Sequence, residues 1–419
     1  MRAHHVMRRL AAGLGLGVLV MLLTGLAGAP RAVAKEFTLG LQCDRSGPTQ
    51  NVGPFLCDGY QDYMKLFNKK KMLGADTLRV VEIDHGYNVP KSMESYERHK
   101  SEGAVLIGIY GTPMTVALAP KLAEDKIPGT SPGFGTSASR NGTKPEYAYL
   151  FPMAASYWSQ ATAGIKFIMD NWKDTSRKPK IAYLFYDNPA GRDPLPVLEE
   201  LQKRLGFELK TYAVPPPGLE MGPQVLEIAR QYKADWVLSH LFGRAPGVSI
   251  KEFQRVGFPR NRMVSFVWGA AESDLQVAGW ESGEGYYGMQ FAGVGENFDV
   301  IREIKQMYKD EGKDPPKSME VSVYYNRGVL IAAVHARAVQ LAVQKKGPNI
   351  TGTDVRDAMQ TIKDFSLGGL LPPLNFSARD HEGGGWVQMY QAQKGKFVPV
   401  TDWYHGYPDV LDKFVYGGG

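Results

Sequence analysis

Residues 104–115 read Ala104-Val105-Leu106-Ile107-Gly108-Ile109-Tyr110-Gly111-Thr112-Pro113-Met114-Thr115. No residue from 104 to 110 carries charge, the pattern of a strand buried on both faces of a parallel sheet. The Gly-Thr-Pro that follows marks a turn into a helix, expected over about 116–124. A threonine hydroxyl beside unpaired helical N–H groups is a ready receptor for a carboxylate that needs no buried countercharge. Thr112 is therefore a candidate binding residue at the carboxyl end of a strand.

The same alternation runs outward in both directions. Towards the N-terminus, strands are expected at 37–41 and 78–83, with helices at 59–71 and 90–100. Towards the C-terminus come short strands at 127 and 147–151, then a second series. That series has helices at 159–172, 195–205, 224–232 and 250–256, and strands at 180–186, 208–214, 236–241 and 263–268. Alternating strands and helices imply an α/β fold of parallel sheets with right-handed crossovers. The longest helical pattern, 324–345, comes after the second series has ended. Two doubly wound lobes are therefore expected, with a chain that crosses between them more than once.

A chain of 419 residues exceeds what one core usually organises, which agrees with two lobes. The formal charge of +6 raises the question of an acidic macromolecular partner. Arg2, Arg8 and Arg9 precede an apolar run from Leu10 to about Ala29, which closes on Ala32-Val33-Ala34. A basic segment, an apolar segment and a small-residue exit make a secretory signal peptide over 1–34. Its removal takes Arg2, Arg8, Arg9 and Arg31 and no acid, leaving a net charge of +2. No basic patch interleaved with aromatics remains, so no nucleic-acid partner is expected. Beyond Ala34 no apolar run reaches the ~18–20 residues that span a bilayer.

Export places Cys43 and Cys57 in an oxidising compartment, where they are expected to form a disulfide rather than remain a pair of free buried thiols. Phosphate-loop, nucleophile-elbow and zinc-helix motifs are absent, so neither an enzyme, a metal nor a cofactor is expected. Gly133-Phe134-Gly135 follows two prolines rather than opening a first β–α unit, which argues against dinucleotide binding. Asp380-His381-Glu382 runs into three glycines and reads as a turn.

Other candidates also sit at strand ends, where open α/β sheets bind ligands. The loop 130–136 brings Gly133, Phe134 and Thr136. The strand 236–241 ends on Phe242-Gly243-Arg244, and the strand 263–267 ends on Trp268. Aromatic rings there would cover the apolar body of a small ligand, unless they only pack strand ends against helices.

Together these segments resemble the branched-chain amino acid (Leu/Ile/Val) type of periplasmic substrate-binding protein of ABC transporters. The likeness lies in the exported leader, the loop Cys43-Asp44-Arg45-Ser46-Gly47-Pro48, the segment 107–115 and the turn Ile127-Pro128-Gly129-Thr130-Ser131-Pro132. It continues through 180–194, 235–242 and Arg255-Val256-Gly257-Phe258, and ends with Asn375-Phe376-Ser377, His381 and 391–397. The resemblance implies two lobes joined by three crossovers, with a small molecule clamped between them and delivered to an inner-membrane ABC permease. It places the lobes at 35–152 plus 293–365 and at 153–292 plus 366–419. It also implies a monomer in the periplasm. A binding protein serving a sensor or chemoreceptor is the alternative.

The family's residues carry over only in part. Thr112 matches the Ser/Thr that holds the ligand carboxylate, and Phe242 matches the aromatic that covers the ligand. Gly135 stands in register with a second threonine, leaving Thr136 as a neighbour. The acid that pairs with the ligand ammonium falls at Trp268, with Glu272 four positions on. The first-loop aromatic becomes Val52, and a family tyrosine falls near Gly191. Without that acid, a desolvated ammonium would be costly to bind. Trp268, with Phe134, Tyr157 and Trp158, favours a flat ligand by stacking, and Arg45, Arg192 and Arg244 are candidates for anion pairing. The expected ligand is an organic acid, aromatic or quinonoid, rather than leucine.

Overall fold

The structure, a computed structural model, describes residues 34–417. The leader read at 1–34 lies, except for Ala34, outside the described residues.

Strand Ala104–Gly108 (β3) is the centre of the first sheet. It pairs in parallel with Glu36–Cys43 (β1), which pairs with Thr77–Asp84 (β2), and on its other side with Gly129–Thr130 (β4), followed by Leu150–Phe151 (β5). The order β2-β1-β3-β4-β5 is that of a doubly wound sheet, with a reversal of strand order between β1 and β3. Leu106 and Ile107 are fully buried, as an uncharged strand covered on both faces must be.

The second sheet contains Lys180–Tyr186 (β6), Glu208–Val214 (β7), Trp236–His240 (β8), Met263–Ser265 (β9) and Tyr287–Gln290 (β10), all parallel. Its parallel part, β10-β9-β8-β6-β7, repeats the winding of the first sheet. Two antiparallel strands, Gln388–Gln393 (β11) and Lys396–Pro399 (β12), extend its edge as a hairpin. The sequence pattern did not mark β10, β11 or β12 as strands. The turn between β11 and β12 uses Lys394 and Gly395, both at positive φ.

Several boundaries move relative to the sequence reading. The helix after β3 is Thr112–Asp125, because Pro113 occupies its first turn rather than preceding it. The strand expected at 263–268 stops at Ser265, and Val267–Gly269 winds into a 3-10 turn that carries Trp268 out of the ladder. The helix expected at 224–232 is α-helical over Gly222–Leu226 and then π-helical over Glu227–Tyr232.

The chain leaves the first sheet after β5 and leaves the second after β10. Helix Val323–Lys346 then packs against helix Gly53–Lys69 of the first sheet. Gly59 and Gly328 allow this close approach. A Cβ on Gly59 would stand 2.1 Å from the Tyr325 carbonyl oxygen, and one on Gly328 would stand 1.9 Å from that of Leu56. The third passage returns the chain to β11. No helix among the described residues is long and apolar enough to cross a membrane.

Candidate functional site

The carboxyl ends of strands from both sheets meet around one cleft. The turn after β1 contributes Thr49 and Val52, the turn after β2 Tyr87, and the end of β3 Tyr110, Gly111 and Thr112. Phe134 follows β4, Tyr157 follows β5, Phe242 follows β8 and Trp268 follows β9. These ten residues surround a narrow cleft that is partly open to solvent. Six of the ten are aromatic, and none carries a formal charge.

The rings form a connected wall. Tyr110 lies 6.2 Å from both Tyr87 and Phe134 between ring centroids. Phe134 lies 5.5 Å from Trp268, and Tyr87 lies 6.3 Å from Phe242. The polar atoms of the wall hold one another in place. Thr49 Oγ1 donates to the buried Asp44 carboxylate at 2.5 Å and meets the Tyr110 hydroxyl at 2.9 Å. Thr112 Oγ1 accepts the Gly135 N–H at 3.2 Å and meets the Tyr157 hydroxyl at 2.9 Å. Burial raises the Tyr110 and Tyr157 phenols, so both stay protonated at neutral pH.

Two helices start at the cleft, Thr112–Asp125 and Tyr157–Asn171, and neither has an acid in its first turn. Their N-terminal dipoles turn positive ends toward the wall, while the Asp44 carboxylate behind Thr49 acts in the opposite sense on Tyr87 and Tyr110. The approach at Gly111 requires glycine. Its φ is +93°, and a Cβ there would stand 2.2 Å from Met114 Cε and 2.9 Å from the Tyr87 ring.

Contacts join the two sheets' loops across the cleft. Trp268 Nε1 donates to the Gly133 carbonyl at 2.8 Å, and Asn51 Nδ2 donates to the Gly243 carbonyl at 2.9 Å. Between the segment after β4 and the segment after β6, Ser137 Oγ donates to the Asp193 carboxylate at 2.5 Å. Burial pushes Asp193 up to about 7, against the pull of its bonds from Ser137.

Of the residues singled out from the sequence, the structure brings Thr112, Phe134, Tyr157, Phe242 and Trp268, together with Val52, into one lining. The others stand outside it. Gly133 contributes its carbonyl to Trp268 and to Gln160 Nε2. Thr136 caps the 3-10 turn Ser137–Arg140, where its carbonyl accepts from Ser139. Trp158 donates its indole N–H to the Asp193 carbonyl and packs against Phe414. Arg244 is exposed at the start of helix Ala245–Arg255. Arg45 is held by Glu82 and Asp58, and Arg192 by Asp187. Glu272 accepts the Val323 N–H and is away from the lining.

Sequence reasoning passed over Thr49, Tyr87 and Tyr110 as lining residues. Tyr110 ends the strand from which the reading began, and that position was the available signal. Cys43 and Cys57 form a disulfide that closes the loop carrying Asp44 and Thr49. The same two sulfurs stand beside Glu82 but are committed to the disulfide, and Glu82 pairs with Arg45.

An aromatic, uncharged cleft at the switch points of two doubly wound sheets is the arrangement of a site that holds a small solute. The periplasmic binding protein family matches residues 36–396, and the chain belongs to that family, whose members bind solutes and are not enzymes. It is similar to an ABC transporter permease from the Pseudomonas fluorescens group, at 27% identity and TM-score 0.83 over 91% of this chain and 95% of that one. It is also similar to a branched-chain amino acid ABC transporter protein from Thermus thermophilus with bound valine, at 22% identity and TM-score 0.79, covering 92% and 100%. A fatty acid ABC transporter substrate-binding protein from Thermomonospora curvata matches at 19% identity and TM-score 0.76, covering 92% and 95%. No curated protein matches the chain.

Proposed function

We propose that this protein is the solute-binding component of an ABC-type importer. It is exported by cleavage of the leader 1–34 and works as a periplasmic monomer. Two lobes, 35–152 with 293–365 and 153–292 with 366–419, close on a small carboxylate-bearing solute and deliver it to an inner-membrane permease. The solute is an aromatic organic acid rather than an aliphatic amino acid.

The observation that carries this reading is the composition of the cleft wall. Six aromatic rings offer stacking area, and two helix N-termini offer N–H groups and positive potential to a carboxylate. No acid lines the cleft to pair with an ammonium, and leaving that ion unpaired is costly. The ligand stabilises the closed form by touching both lobes, which is how a hinge-closing protein converts binding into a shape its partner reads.

Tryptophan-fluorescence titration with benzoate, phenylacetate, leucine and valine tests it. Micromolar binding of the aromatic acids without leucine binding is the expected result. Micromolar leucine binding with no response to the aromatic acids overturns it.

A further inference from the structure

Behind the cleft wall lies a cation that the cleft itself does not display. Arg327, on helix Val323–Lys346, is completely buried. Its guanidinium carbon stands 5.0 Å from the Trp268 ring centroid, 4.7 Å from that of Phe291 and 5.0 Å from that of Tyr324. Nη1 donates to the Val267 carbonyl at 2.7 Å and Nη2 to Gln290 Oε1 at 2.5 Å, while Nε has no acceptor. All these partners are neutral. Among the described residues no carboxylate forms an ion pair with Arg327, and Asp274 and Glu272 reach it only through space.

A buried cation without a counterion is held by ring faces and carbonyl dipoles. Burial lowers Arg327 to about 10, which leaves it charged at neutral pH. Burial also pushes Asp274 up to about 7 and raises Glu272, so the acids nearby offset the charge incompletely at neutral pH. Asp274 is further occupied by the Ala271 N–H at 3.0 Å and the Tyr324 hydroxyl at 2.7 Å. Burial keeps bulk water from the charge, and one of the rings that the guanidinium packs on, Trp268, also lines the cleft.

We propose that Arg327 sets the charge specificity of the cleft: acting through Trp268, it favours anionic ligands and rejects ligands that carry an ammonium. The inference rests on the cleft being the binding site, and it deepens the proposed function by naming what excludes amino acids and amines. A cation behind the ring opposes the attraction that an aromatic wall otherwise has for ammonium groups. It acts as a positioning residue for charge, since the ligand contacts Trp268 and not the guanidinium.

Matched pairs that differ in charge test it by calorimetric titration: benzoate against benzylamine, and isovalerate against valine. The intact protein is expected to prefer the anion at least tenfold in whichever pair it binds. Arg327→Met should reduce that ratio about tenfold, and Arg327→Lys, which keeps the charge, should retain most of it. Circular dichroism establishes that each variant is folded, and the wild-type ratios remain decisive if Arg327→Met is not. An anion preference absent in the wild type, or unchanged in a folded Arg327→Met, overturns the role of Arg327. Binding confined to the aliphatic pair overturns the aromatic reading of the cleft while still scoring Arg327 through its own ratio. Failure of all four ligands to bind overturns both.

Discussion

The indole N–H of Trp268 donates to the carbonyl of Gly133 at 2.8 Å, joining the turn after β9 in one sheet to the turn after β4 in the other. The ring thus lines the cleft and helps hold it shut. Trp268→Phe keeps most of the stacking area but removes the donor. A neutral hydrogen bond contributes about 0.5–1.5 kcal/mol, so aromatic-acid affinity should fall roughly two- to twelvefold. The melting temperature should change little, and calorimetry with a thermal melt reads both.

Closure should depend on pH through Asp193 and Ser137. With the loops of the two sheets in contact as they are in this structure, burial holds Asp193 at about 7, above an ordinary aspartate, while Ser137 donates to it. The Tyr157 and Tyr183 phenols near it are raised by burial and remain neutral, as does the imidazole of His240, which burial lowers to about 3. Opening returns Asp193 to water and to a lower pKa, so closing takes up a proton. Ligand affinity should therefore fall several-fold as pH rises from 6 to 7 and level off above pH 7. Asp193→Asn should flatten that dependence. Titrations of a ligand that does not itself ionise between pH 6 and 8 provide the check.

Gly111→Ala places a methyl group against Met114 and Tyr87 in a backbone conformation that side chains avoid. Strain of this kind costs about 1–3 kcal/mol. The variant should melt earlier and lose ligand affinity at least tenfold, because Tyr87 and Thr112 flank the altered position.

Reduction of the Cys43–Cys57 disulfide, or Cys57→Ser, frees the loop carrying Asp44 and Thr49. A loop of about 15 residues corresponds to roughly 3 kcal/mol in the chain-entropy model. Urea unfolding with and without reductant should show a loss of that order. The affinity loss should be smaller than for Gly111→Ala, since Thr112 and Trp268 lie outside the loop.

The winding of both sheets was legible because their strands are apolar runs between helical periods, and β3 is uncharged throughout. Thr112, Phe242 and Trp268 were legible as well, since they follow strands directly. The remainder depends on contacts between distant segments. Tyr87 turns into the cleft from a left-handed backbone position, φ 57°, that no local pattern marks. Strands β11 and β12 add to the second sheet only after the chain has left it and returned. Arg327 sits in a helix buried on nearly every side, and no periodicity distinguishes a cation held by three rings from one that faces water.

The claim that this cleft captures an aromatic organic acid is tested most directly by mass spectrometry of the small molecule released when the purified protein is denatured. The account predicts a carboxylate-bearing aromatic compound, released from the wild type and depleted in Trp268→Ala. Recovery of leucine, isoleucine or valine from the wild type would contradict it.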